Sequence, residues 1–308
     1  MRYFVTGASG WIGSAVVPEL VDAGHEVTGL ARSDEAAAKV TASGATVLRG
    51  TVDDLDILRT AAAASDGVIH LAFRHDIAFT GDFAGAVDSD RRAVEAIGDA
   101  LAGSDRPFVI ASGTGGVRPG HVVTERDGLR PDDATTRMGA GMATRQGTAH
   151  VTLALADRGV RSSVLRLPPT VHGDGDHGFM ATLVRIARDK GVAGYIGDGT
   201  NRWPAAHRDD AAHLCCLAVA NAPAGSVLHA VADEAVPIRA IAEVIGRHLD
   251  IPVASIDPER AGEHFGWLGG FLSLDVPASS SLTRELLGWQ PTRPGLLDDL
   301  DKGHYFAR

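Results

Sequence analysis

Cysteine is nearly absent from this chain: there are two, Cys215 and Cys216, adjacent in HLCCLAVA. Neighbours on a helix point in different directions, so a disulfide framework is excluded and no metal-ligand spacing exists. Two structural thiols in a cytoplasmic protein without a bound metal is the expectation. Long apolar runs are also missing. Apolar residues make up 44% of the chain, enough for a full core, but no run reaches the roughly 18–20 residues of a membrane span. Positive charge is in deficit, with a formal net charge of −10. That argues against nucleic acid or an anionic membrane as partner and leaves a small molecule, bound by a monomer or homodimer. The opening MRYFVTG is already strand-like, with no charged and apolar regions of an export signal. The last shortage is of tyrosine and lysine. The tyrosines are Tyr3, Tyr195 and Tyr305, the lysines Lys39, Lys190 and Lys302, and no lysine follows a tyrosine by four places.

What is present is a rhythm. Short β-rich runs (RYFVTG, HEVTGLA, ATVLRG, GVIHLAF, RPFVIASG, RSSVLRL) alternate with longer helical patterns over the first half of the chain. Alternation of this kind marks βαβ units, and runs without strict polar alternation mark strands buried on both faces. After Pro168-Pro169 the rhythm loosens. FMATLVRIARDKG, RDDAAHLCCLAVANA, IRAIAEVIGRHLD and SSSLTRELLG read as helices, and VLHAVAD and VASID as short strands. The expectation is an α/β chain: a doubly wound parallel sheet over residues 1–170 and a smaller mixed region over 171–308, some of whose segments return to the core.

The first strand runs into VTGASGWIGS, which sets Gly7, Gly10 and Gly13 between a strand and a helix. Gly7 permits the tight turn, Gly10 lets the backbone approach a pyrophosphate, and Gly13 lets the helix pack on the sheet. The diphosphate of a dinucleotide would sit on the free amides of Ser9, Trp11 and Ile12, at the positive end of the helix dipole. This is the Rossmann arrangement with the spacing G-x-x-G-x-x-G. The second strand ends GLARSD, with Ala31 where an acidic residue would hold a ribose 2′-hydroxyl. Arg32 and Ser33 follow, and a guanidinium beside a hydroxyl suits a 2′-phosphate, so NADP(H) is expected over NAD(H).

With these residues in hand the chain resembles the extended and atypical short-chain dehydrogenase/reductases, the group of the NAD-dependent epimerase/dehydratases, over nearly its whole length. TGASGWIG, GVIHLAF, RGTVDD, VLRLPPTVHG, AAHRDDAA and LGWQP carry the resemblance. It implies that Leu71, Ala72 and Phe73 line the adenosine and pyrophosphate channel. It further implies that Thr51 and Val52 frame the adenine, that Asp53 caps a helix, and that Pro168 and Val171 back the nicotinamide.

In that family a tyrosine and a lysine four residues on move the proton and hold the nicotinamide ribose. Here Met142 and Gln146 fall at those places. Neither transfers a proton; Gln146 can still bond a ribose, while Met142 and Arg145 face the substrate. Ser112 and Thr114 in FVIASGTGG stand where the family keeps a hydroxyl, and His172 in TVHGDGDHGF is the side chain suited to proton transfer near neutrality. These three are the catalytic candidates. His75, His177 and Trp267, with His264, are candidates for the substrate pocket, whereas His207 is expected to pack and Asp210 to cap or pair. The expected activity is reduction of a carbonyl, imine or activated double bond by a nicotinamide dinucleotide. Two alternatives stay open: a non-redox dinucleotide sensor, and an epimerase or isomerase.

Overall fold

In a computed structural model, residues 1–78, 80–115, 120–128 and 139–307 are described, with the backbone alone for 139–144. The first half alternates β1 (Arg2–Thr6), α1 (Gly13–Asp22), β2 (Glu26–Ala31), α2 (Asp34–Ala42), β3 (Thr46–Arg49), α3 (Leu55–Ala64) and β4 (Gly67–His70). A short α4 (His75–Ala78) and the long α5 (Phe83–Leu101) lead to β5 (Pro107–Gly113), α6 (Gly139–Ala154) and β6 (Arg161–Leu167). Then come β7 (Thr170–His172), α7 (Phe179–Lys190), β8 (Ala193–Ile196), β9 (Arg202–His207), α8 (Arg208–Asn221), β10 (Ser226–His229), β11 (Asp233–Pro237), α9 (Ile238–Leu249) and β12 (Val253–Ile256).

The central sheet has the order β10-β6-β5-β4-β1-β2-β3 and every pairing in it is parallel. Chain order reverses between β1 and β4, so a crevice opens there beyond the carboxyl ends of the strands. Parallel strands covered on both faces must be apolar throughout, and β4 is buried at all four positions. One face of the sheet is covered by α1, α2 and α8, the other by α3, α5 and α6. Helix α5 turns Ala86, Val87, Ala93, Val94, Ile97 and Leu101 inward, the recurrence of a single helical stripe.

Helix α8 packs on α1, and β10 extends the main sheet beside β6, so residues 208–229 return to the first layer. Trp289 of LGWQP is fully buried, and its indole Nε1–H donates to the Asp210 carbonyl at 3.1 Å. The Asp210 carboxylate accepts the amides of Thr292 and Arg293, while His207 Nδ1 accepts the Asp209 amide and caps α8. A separate core joins α7, α9 and the later helices to the small sheet β11-β9-β7 and the pair β12-β8. Strands β7, β8, β9 and β11 were not legible as such. They run three to six residues, and β9 and β11 contain Pro204 and Pro237. The run VLHAVAD is strand only to His229. No helix among the described residues is long and apolar enough to cross a membrane.

Buried polar groups tie the layers together. Arg166 on β6 is fully buried and donates to the Asp127 carbonyl at 2.8 Å; burial lowers its pKa to about 10. Its neighbour His229 is equally enclosed. Burial, reinforced by the Arg166 charge, depresses the His229 imidazole to about 3 from an ordinary 6.5. The folded state therefore holds this ring neutral, and unfolding below pH 6.5 takes up a proton. We expect this residue to give a fall of about 1.4 kcal/mol in stability per pH unit as pH drops from 6.5 towards 3. Urea denaturation across that range should show a flatter profile for His229→Gln than for the natural chain.

Candidate functional site

The glycine turn follows β1 directly. Gly7 has φ +69, and a Cβ there would lie 2.7 Å from the Ala72 nitrogen. Thr6 Oγ1 accepts the same Ala72 amide at 3.3 Å and pairs with His70 Nδ1 at 2.8 Å, which fixes the turn against the end of β4. A Cβ on Gly13 would lie 2.1 Å from the Gly7 carbonyl oxygen, so the helix rests on the turn itself. A Cβ on Gly10 would meet only that oxygen, at 3.1 Å, and would otherwise fill the cradle above the turn. The amides of Trp11 and Ile12 find no backbone acceptor among the described residues, leaving donors at the start of α1. The cradle fits a diphosphate.

From this turn a cleft of about 990 Å³ runs across the β1/β4 crevice. Its walls include Gly7, Ser9, Gly10, Trp11, Ile12, Gly13, Arg32, Thr51, Val52, Leu71, Ala72, Phe73, Pro168 and Val171, all expected at the cofactor. Trp11 is anchored through its Nε1–H to the Val171 carbonyl at 2.8 Å, and the Arg208 guanidinium lies 4.5 Å over its ring. Ser33 is not on these walls. Its Oγ accepts the Ala36 amide at 3.2 Å, so the hydroxyl is engaged in capping α2. Nor does Asp53 cap α3: its carboxylate accepts from Arg74 at 2.6 Å, Ser89 at 2.7 Å and Arg92 at 3.2 Å. Arg74, which sequence reasoning missed, also holds Asp76, and Asp76 in turn pairs with Arg32 at 2.9 Å. The two guanidinium groups, Arg74 first, hold the Asp76 carboxyl down to about 2. This end of the cleft thus carries an alternating chain of three cations and two anions, Arg32-Asp76-Arg74-Asp53-Arg92.

At the other end the cleft opens into an apolar extension of about 230 Å³, lined by Phe73, Phe83, Phe179, Trp203, Phe271 and Leu274 among others. Ser112, His75 and Arg145 line both spaces. The Ser112 hydroxyl is buried without a protein partner, and Arg145 lies 4.2 Å over the Phe73 ring. Burial, then the Arg145 charge, pushes the His75 imidazole below its ordinary range. Gln146 is buried beside the extension with its Oε1 unpartnered. His177 lines the cleft edge-to-face with Trp11, ring centroids 5.9 Å apart, and Trp267, half exposed, packs on Phe179 with centroids 5.6 Å apart. The Met142 side chain lies outside the described residues.

Three expected residues stand elsewhere. His172 is fully buried away from the cleft, its Nδ1 paired with Asp299 Oδ2 at 2.9 Å and its ring against His207. It ends β7, and its ring is held by Asp299 in the C-terminal helix Leu296–Asp301. Thr114 is buried one residue past the strand end and does not line the cleft. His264 packs on Phe265 beside Gly194, on the far side of the second core.

The chain belongs to the NAD dependent epimerase/dehydratase family, whose model matches residues 3–230. Uncharacterized protein C2A9.02 of Schizosaccharomyces pombe is 48% identical over 99% of this chain and 100% of its own length. A 4-hydroxy-2-methyl-3-oxo-4-farnesyl-3,4-dihydroquinoline-1-oxide ketoreductase of Stigmatella aurantiaca is 28% identical, over 86% of this chain and 80% of its own. Among solved structures, a DesIV double mutant (dTDP-glucose 4,6-dehydratase) from Streptomyces venezuelae, with NAD and DAU bound, superposes with TM-score 0.77 at 20% identity. That match covers 99% of this chain and 96% of the other. The family and its fold make this chain an oxidoreductase-type enzyme of the nicotinamide dinucleotide class.

Two glycine variants separate scaffold from ligand contact. Gly13→Ala forces a shift against the Gly7 carbonyl and is expected to cost roughly 1–3 kcal/mol of stability. Gly10→Ala is expected to stay within about 0.5 kcal/mol of the natural chain yet lose dinucleotide binding, as read by denaturation and by fluorescence titration.

Proposed function

We propose that the protein is an NADP(H)-dependent oxidoreductase that reduces a carbonyl, imine or activated double bond of a small, largely apolar molecule without a Tyr/Lys pair. The observation that carries this reading is the continuity of the cleft, from the glycine turn to the Ser112 and Arg145 wall of the apolar extension. The ketoreductase relative supports reduction as the direction and a carbonyl as the group. When bound, a reduced nicotinamide supplies a hydride to an electron-poor carbon.

This chain's own residues do the rest. The turn of Gly7 and Gly10 and the amides of Trp11 and Ile12 bind the diphosphate. Thr51, Val52, Leu71, Ala72 and Phe73 enclose the adenosine, while Pro168 and Val171 back the ring and Gln146 serves the ribose. Arg32 takes the 2′-phosphate by exchanging its Asp76 partner for it, and Arg74 keeps Asp76 paired during that exchange. Ser112 donates a hydrogen bond to the substrate oxygen. Water supplies the proton, because His172 lies outside the cleft. The apolar walls of the extension exclude bulk water from the reacting carbon.

Titration with NADPH and NADH, followed by turnover on a panel of ketones, aldehydes, enones and imines, tests the reading. Tight dinucleotide binding with no turnover on any of them would favour a sensor instead. Charge-assisted bonds of this kind contribute about 1.5–3 kcal/mol, so Arg32→Ala should weaken NADPH by about 10- to 100-fold and leave NADH nearly unchanged. Asp76→Asn should tighten NADPH. Equal affinity of the natural chain for both dinucleotides would overturn the NADP(H) assignment.

A further inference from the structure

We infer that Arg145 and Ser112 form an oxyanion site at the end of β5, which binds the oxygen of a carbonyl substrate and replaces the missing tyrosine by charge rather than by proton transfer. The inference rests on the proposed dinucleotide-and-substrate reading of the cleft and deepens it.

The Arg145 guanidinium is held in place by three features. Its Nη2–H donates to the Ala111 carbonyl at 2.9 Å, one residue before Ser112 on β5. Its plane lies 4.2 Å over the Phe73 ring. Helix α6 delivers it from one side and the strand end receives it on the other. The rest of the fork has no protein acceptor among the described residues, and Nε is buried without one. No carboxylate among the described residues lies within salt-bridge distance of it. Every other arginine lining the cleft touches an acidic side chain: Arg32 pairs with Asp76, and Arg74 with Asp53 and Asp76. Arg145 forms no such pair among the described residues; burial opposes its charge, and the more distant Asp90 carboxylate supports it in part.

A buried cation with no carboxylate in contact is costly, and a ligand that brings the opposite charge relieves that cost. The Ser112 hydroxyl, also buried and unpartnered, faces the same space. Two fixed donors beside one apolar chamber constitute a site preorganised for negative charge on oxygen. When a carbonyl carbon gains a hydride, the C=O pair moves onto oxygen. The alkoxide so formed takes a proton from water, leaving hydroxide, and the reduced dinucleotide is the two-electron donor. Guanidinium stabilises that alkoxide without giving up its own proton, so no residue of low pKa is required. The substrate class is therefore small aromatic or aliphatic aldehydes and ketones, in which charge develops on one oxygen.

Benzoate, a stable bearer of a charged oxygen on an apolar ring, probes the site without turnover. Calorimetric titration of the full chain should show benzoate binding that Arg145→Met weakens at least tenfold and Arg145→Lys weakens less, with benzyl alcohol changed under twofold. Benzoate that fails to bind, or that binds Arg145→Met as well as the natural chain, overturns the inference. So does a parallel loss of benzyl alcohol, which would mark lost packing. NADPH titration of the same proteins distinguishes the failures. Unaltered dinucleotide binding with an insensitive benzoate site sinks only the oxyanion site, whereas absence of any dinucleotide binding in the natural chain sinks the function beneath it. On the best carbonyl substrate of the panel, Arg145→Met should lower kcat by about 100-fold or more with a smaller change in KM.

Discussion

The close approach of the first turn to the end of β4 is the constraint on which the rest of this structure depends. Gly7 lies so near Leu71 and Ala72 that a methyl group would sit inside their backbone, and Gly13 lies as near the Gly7 carbonyl. Thr6 and His70 close the junction by side-chain hydrogen bonds, and His70 Nε2 continues it to the buried Asp90 of α5 at 3.2 Å. The sheet order reverses at this point, so packing needed for the fold and the crevice needed for a ligand are produced by the same few atoms. A helix pressed this tightly against a strand end also keeps its amino-terminal donors facing the crevice.

Around that junction the charges are arranged in two ways. At the Arg32 end of the cleft the cations are already satisfied: Arg74 bridges Asp53 and Asp76, and Arg32 shares Asp76. A ligand phosphate there must compete with a carboxylate, so selectivity depends on an exchange of partners in partly solvated surroundings, where each pair is worth little alone. At the substrate end the opposite holds. Among the described residues Arg145 has no acidic side chain in contact and lies over the Phe73 ring, so any negative charge that enters meets it at low effective dielectric. On the proposed reading, one end of the cleft discriminates between similar ligands and the other responds strongly to charge as it develops.

The fold was legible where the physics is local. Apolar runs bounded by turn residues located the strands of the central sheet, and the three glycines located the turn because their spacing reflects close approach within a few residues. Legibility failed where partners are remote. The engagement of Asp53 with Arg74 and Arg92, rather than with a helix terminus, depends on the loop after β4 and on α5 both lying against the loop after β3. The removal of His172 from the cleft depends on Asp299, 127 residues away in sequence. Ser33 was misjudged for a different reason: a serine before an acidic first turn serves an N-cap as well as a phosphate, and the cap is made at once within the chain. The aromatic walls contributed by Phe179, Trp203 and Phe271 come from three segments of the second half, and no periodicity in any one of them announces a shared chamber.

The scarcity of tyrosine and lysine then bears on mechanism, because each one present can be placed. Tyr3 is buried in the first core, where burial raises its pKa. Tyr195 lies under the Arg239 guanidinium at 5.5 Å, on β8 of the β12-β8 pair. Tyr305 donates to Asp176 at 2.9 Å and accepts the Gly173 amide, bracing the loop that brings Asp176, His177 and Phe179 to the cleft. Burial, then the Asp176 charge, raises its pKa as well, so it is a poorer acid than free tyrosine. Lys39 is spent on exposed Glu35, Lys302 approaches Asp299 at 3.5 Å, and Lys190 ends α7. No phenol or amine from a distant part of the chain stands in for the missing pair. A site that keeps its dinucleotide cradle and loses its proton donor can still favour reduction if the oxygen is stabilised as an anion, since proton transfer from water then follows rather than accompanies the change at carbon. The chemistry open to such a site is narrow. It suits electrophilic carbonyls whose alkoxides are modestly basic, and it disfavours oxidation of an unactivated alcohol, which needs a base held beside the hydroxyl.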